Sequence, residues 1–204
     1  MFPSKLIIEV NDLTPDWLDK MKQAYKEATL EIHIHEAPVV EKMTEEAFWA
    51  IIALLDWNKG EDDDAILAPA RQRLQQYSVG DIRRFQDILA EKLYQLDRQV
   101  FAEQIGEYRY GGPHNFSVDT FLYARACVVA NGKAFYEVVL SDPSKMPKEF
   151  TFEALLYLAG EAYEQKTGEQ WDYLPKLSYE TFTNREGWGG KSWLAGRGSL
   201  PTSC

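Results

Sequence analysis

The chain has 204 residues, with 22 Lys and Arg against 32 Asp and Glu for a net charge of −10, and 45% of it is apolar. That composition belongs to globular chains and excludes disorder, collagen-like repeats and a disulfide scaffold, while the length suffices to bury roughly 70% of the unfolded surface without a metal or crosslink. The acidic balance disfavours nucleic acid and anionic lipid. No apolar run approaches the ~20 residues needed to span a bilayer, and Lys5 and Glu9 among the first aliphatics are unlike a signal peptide, so a cytoplasmic protein is expected.

Leu6, Ile8 and Val10 lie on one face at period two, and Leu30, Ile32 and Ile34 repeat the pattern, which predicts two half-buried strands. Between them Thr14 is a good N-cap with Pro15 at the first helical position, and Trp17, Leu18, Met21, Tyr25 and Ala28 form one stripe. Such a strand–helix–strand unit is too small to cover its own apolar faces. It must dock on the remainder or on a second copy, and a homodimer through residues 1–36 is expected.

After Ala37-Pro38 the period becomes helical. Thr44 caps a helix opened by Glu45 and Glu46 with Phe48 to Leu55 as its body. A second helix runs from Ala65 to Tyr77, where Pro69 is tolerable only in or near the first turn. Ser78 and Asp81 make a near capping box for a third, with Ile82, Phe85, Leu89, Leu93 and Leu96 at spacings of three and four and a continuation towards Ile105. Ser117 and Asp119 start a fourth, Phe121 to Ala130, which Asn131-Gly132 ends. A short helix follows from Ala134 to Leu140, and a last one from Phe152 to Thr167, closed by Gly168. Beyond Trp171 regular patterning fades. The Gly-rich stretch from Asn184 reads as loosely attached, with Trp188 and Trp193 as its available pins, and residues 189–204 are expected to be removable without unfolding.

The expected fold is α+β, predominantly helical, in three parts. A strand–helix–strand unit occupies residues 1–40, a domain of about six helices 41–170, and an aromatic then Gly-rich extension 171–204.

The stretch Ser117-Val-Asp-Thr-Phe-Leu-Tyr-Ala-Arg-Ala-Cys-Val-Val-Ala-Asn-Gly-Lys-Ala-Phe-Tyr, followed by Leu140-Ser-Asp-Pro-Ser, resembles the bacterial family catalogued as domain of unknown function 4240. Thr44-Glu-Glu-Ala-Phe-Trp and Glu161-Ala-Tyr-Glu-Gln-Lys-Thr-Gly resemble it too, so the similarity covers about residues 42–187. The resemblance implies a mostly helical domain with no established activity, sometimes joined to other modules in regulatory or conflict-type proteins.

Arg125 stands out because it lies on a helix whose other turns are apolar, and a guanidinium there must find acceptors. Three readings are open. It forms an anion-binding or catalytic cluster with Asp119 and Glu161, or a buried ion pair that fixes helix register using Asp87, Glu91 or Glu161, or it reaches out to solvent; the ion pair is the preferred reading. Asp56 to Asp64 resembles the start of a calcium loop, but Glu61 stands where the turn glycine belongs and Leu67 where the bidentate Glu belongs, so helix capping is preferred.

His33 and His35 lack further ligands, and Cys127 reads as a small core residue, with Cys204 as the second of the two cysteines. No metal and no cofactor is expected. The loop aromatics Tyr108, Tyr110, Trp171 and Tyr173 cover a core edge or line a binding groove. The function expected is a non-enzymatic interaction or regulatory module with an unidentified protein partner. The alternative is an enzyme for a small anionic or polar substrate, with Arg125 orienting it and Asp119 or Glu161 as acid or base.

Overall fold

The computed structural model describes residues 14–26 and 42–190, and the chain divides into two units, Met1–Val39 and Val40–Cys204. In the first unit, α1 spans Pro15–Ala24, and the Thr14 hydroxyl caps it by accepting from the Trp17 amide at 3.2 Å. The expected strands at 5–10 and 30–34 lie outside the described residues. Every regular element among the described residues is helical, so the β part of the expected α+β class finds no support there.

The second unit contains α2 (Glu45–Ile52), α3 (Asp63–Leu74), α4 (Val79–Leu96), α5 (Gln99–Ala102), α6 (Val118–Ala130), α7 (Lys133–Ser141) and α8 (Leu158–Thr167). Side chains that prefer to bond their neighbours' amides set the starts of most of these helices. Thr44, Asp62, Ser78 and Ser117 each accept from the amide three residues on. The α4 helix is central, packing against α2, α6 and α8, while α3 lies on α8 and α6 on α7. Phe48 meets Phe85 at 4.8 Å between ring centroids, and Ile82, Phe85, Leu89, Leu93 and Leu96 are all buried, as their spacing requires.

Three boundaries differ from expectation. Because Asp62 caps α3, the helix begins before Ala65 and places Pro69 well inside it. The missing N–H forfeits one helical bond, at a cost of about 3 kcal/mol, which burial of Ile66, Leu67, Ala70 and Leu74 offsets. The α4 helix stops at Leu96 instead of running towards Ile105, because Asp97 leaves the helical region and turns its carboxylate to a distant part of the chain. The first turn of the last helix is a 3-10 segment, Glu153–Tyr157, ahead of α8.

Candidate functional site

Two places gather the chemistry. The first is a seam where residues 171–190 lie across α4 and α6. Trp171, Tyr173, Pro175, Leu177 and Tyr179 are half-buried, and Asp172, Leu174, Lys176, Ser178 and Glu180 between them are exposed, so this extended segment alternates at period two. Three charged side chains of the helical body hold it.

Asp87 accepts from the Tyr173 hydroxyl at 2.9 Å and the Lys176 amide at 3.1 Å. Arg125, 0% exposed, donates through Nη1 to the carbonyls of Leu93 and Tyr179 and through Nη2 to the Thr181 hydroxyl, each at 3.0 Å. Asp97, also 0% exposed, accepts from the amides of Phe182 at 3.1 Å and Asn184 at 2.9 Å and from the Trp188 indole at 2.8 Å.

Arg125 therefore spends its Nη donors on neutral oxygens, with its guanidinium carbon 4.7 Å from the Phe121 ring centroid. Burial lowers its pKa to about 10, opposed by the nearby charges of Asp97 and Glu180. It remains a cation at neutral pH. The expected partners went elsewhere: Glu161 pairs with Arg71 at 2.6 Å, tying α8 to α3, and Asp64 holds the same guanidinium at 2.7 Å. Those bonds, Asp64 foremost, hold Arg71 above the usual arginine range.

Asp119 lines a shallow hollow of about 220 Å³ with Val118, Glu180, Thr181 and Phe182, and Arg125 reaches Thr181 from the interior. Arg125 and Glu161 thus have separate bonding partners, and Asp119 lines this hollow. Asp97, which the sequence reading passed over, is the acid nearest in role to the one sought for Arg125. Its signal was the break in an otherwise continuous amphipathic helix.

The tail from Asn184 differs from expectation as far as Gly190. Trp188 is 0% exposed, edge-on to Tyr110 at 5.3 Å and tilted against Phe182 at 4.3 Å. An indole buries enough apolar area, and here satisfies its N–H well enough, to dock the segment around it. Residues 191–204, including Trp193, lie outside the described residues.

Of the four loop aromatics, Trp171 and Tyr173 meet edge-on at 5.5 Å between centroids. Tyr110 covers the Trp188 cluster, Trp171 packs on Tyr163 at 5.2 Å, Tyr173 bonds Asp87, and Tyr108 is largely exposed beside His114. His33 and His35 lie outside the described residues. Asp56 and Asp62 accept from the amides of Asn58 and Ala65, which is the capping role.

The second place is a hollow of about 330 Å³, half open to solvent and lined by Trp57, Cys127, Asn131, Phe135, Pro147, Phe150, Thr151 and Phe152. Trp57 and Phe152 meet at 5.1 Å between centroids, and the Asn131 amide donates to the Cys127 carbonyl at 2.8 Å. Cys127 is buried at its floor, and that burial raises the thiol pKa, so the group is a neutral, weakly polar surface. The chain turns at Glu149, whose φ of 65° is left-handed, and Phe150 follows at the rim with 71% of its surface exposed. Among the described residues, those lining the hollow carry no charge.

Residues 43–165 match the family described as a protein of unknown function (DUF4240). The chain belongs to this family. No curated protein and no solved structure matches it. The whole wall of the aromatic hollow falls inside the matched DUF4240 residues, as do Asp87, Asp97 and Arg125, whereas the segment those three hold lies beyond residue 165. No helix of the described DUF4240 residues is long and apolar enough to cross a membrane, and they contain no cluster of three or more His, Cys, Asp or Glu arranged to hold a metal.

Proposed function

We propose that this chain is a non-enzymatic protein-interaction or regulatory module, and that its hollow at Cys127 receives one aromatic or long aliphatic side chain of a partner protein. The observation that carries this is the wall itself: four aromatic rings, a proline and a protonated thiol, with an exposed Phe150 at the rim and no acid, base or cation to do chemistry. Exposed apolar side chains around a concavity are the usual form of an interface hot spot, since their desolvation drives binding. The enzyme reading draws less support, because both Nη groups of Arg125 are bonded to the chain's own oxygens and Glu161 is committed to Arg71.

Residues 1–36 remain our proposed homodimer contact, supported by the exposed Leu18 and Tyr25 on and beside α1.

The test is affinity capture from the native cell with the full chain, compared with Phe150→Asp and with Asp119→Asn. A stoichiometric protein held by the parent and by Asp119→Asn but lost with Phe150→Asp is expected. A partner retained equally by all three, or none together with a small polar molecule carried through purification, would overturn the reading.

A further inference from the structure

The seam under residues 171–190 has the anatomy of a receptor and its ligand. Its anchors mostly read main chain: Asp87 takes the Lys176 amide, Arg125 the Tyr179 carbonyl, and Asp97 the amides of Phe182 and Asn184. Backbone-directed bonds of this kind hold an extended segment while leaving most of its side chains free to vary, the logic of peptide recognition in grooves. The outward side chains agree, with Leu174 85% exposed.

Specificity is concentrated at three positions. The Thr181 hydroxyl bridges Arg125 and the Val118 carbonyl, accepting from the first and donating to the second at 3.0 Å each. Gly187 passes so close to the body that a Cβ there would lie 2.9 Å from the Arg98 Cβ and 3.0 Å from the Asp97 carbonyl oxygen, and its own carbonyl accepts from the Gln99 amide at 3.0 Å. Trp188 fills a pocket walled by Tyr110, Phe116 and Phe121 of the body and by Phe182 of the segment itself.

The fit is also incomplete. Among the described residues, the buried side-chain atoms left without a hydrogen bond are Arg83 Nε, Gln86 Oε1 and Arg125 Nε. All three residues touch this segment: the Arg83 guanidinium lies 5.6 Å from the Tyr173 ring, Gln86 bonds the Tyr179 side chain, and Arg125 binds Tyr179 and Thr181. Buried polar atoms are usually paired, so the unpaired ones among the described residues gather where the segment meets the body.

We propose that the surface formed by α4, α6 and the 110–116 loop is a peptide-binding groove, filled in this chain by its own residues 171–190, which accepts in trans an extended segment of another protein of the form Ser or Thr, five residues, Gly-Trp. The groove is separate from the hollow at Cys127 and stands without it. Tethering makes the resident segment a strong competitor, since the effective concentration of a short-linked segment is of millimolar order. Binding in trans therefore requires that the resident segment be released or weakened.

The test uses the full chain with a specific protease site inserted between the exposed Glu169 and Gln170, and a fluorescent synthetic peptide of residues 171–190 as the probe. After cleavage the helical circular dichroism is expected to persist and the labelled peptide to enter saturably, while the uncut chain excludes it. Peptides carrying Gly187→Ala or Trp188→Ala should bind at least tenfold more weakly, and one carrying Leu174→Ala as the parent does. In an uncut chain with Trp188→Ala, the vacated pocket should admit the parent peptide, and its melting temperature should rise with peptide concentration. Loss of helical signal on cleavage would show the segment to be part of the core. That result, a folded cleaved chain that takes up no peptide, or equal uptake of the Trp188→Ala peptide would each overturn the proposal.

Discussion

Arg125 and Cys127 stand two residues apart on α6, about 200° around the helix, and each faces one of the two places described above. On the Arg125 side a charge is buried under residues 171–190, with two carbonyls and a hydroxyl accepting from it. On the Cys127 side the helix presents a neutral thiol to an open, aromatic hollow. The difference shows that a buried charge in an apolar helix marks where the chain has drawn one of its own segments over itself. Unsatisfied apolar surface marks where something else can bind, and it carries no unusual residue to advertise it.

The contrast can be broken most forcefully at Asp97. Its carboxylate is fully buried and accepts from two amides and an indole, so Asp97→Ala strands three donors and removes the acid that offsets Arg125. A loss of about 4 kcal/mol is expected, read as a lower urea midpoint. A loss under about 1 kcal/mol would mean that residues 171–190 are held mainly by apolar contact.

Arg125→Ala comes next, at about 3 kcal/mol, because two carbonyls lose their donor in a closed site. An unchanged melting temperature would instead make Arg125 dispensable to the seam. On the other face, Phe150→Asp should leave stability within about 0.5 kcal/mol, since the ring is 71% exposed, yet weaken capture of the partner at least tenfold.

The smallest effect concerns Cys127, measured in a Cys204→Ser background with a thiol-reactive dye. Burial raises its pKa in the folded chain, so at any given pH less thiolate is present than for a free cysteine, and the rise in labelling rate should be displaced to higher pH. The sign for stability follows: the neutral thiol supports the fold below the pKa of the unfolded chain, and that contribution is lost as pH climbs through the higher folded value. Labelling with the profile of a free cysteine would show the hollow floor to be open to solvent.

Legibility in the sequence varied with the range of the interaction. The capping residues Thr14, Thr44, Ser78 and Ser117 could be assigned because each acts on an amide three residues away. The inward stripe of α4 could be read for the same reason. Trp171 to Glu180 also carries a readable signal, aromatic, proline or leucine at every second position, but its polar context and Leu174 on the outward face masked the period. The hollow could not be read at all, since Trp57, Cys127 and the stretch holding Phe150 and Phe152 are far apart in the chain.

The sequence by itself determined where most of the helices begin, which face of α4 turns inward, and that Arg125 would need acceptors, because propensity, capping and period act within one or two turns of the chain. It determined the DUF4240 family as well. Which acceptors Arg125 found, at Leu93, Tyr179 and Thr181, and that Glu161 would go to Arg71 instead, only the tertiary structure decided. Those partners lie 32 to 90 residues away, and the choice among competing oxygens depends on which backbone groups the helix packing leaves unbonded at the place where the guanidinium is buried.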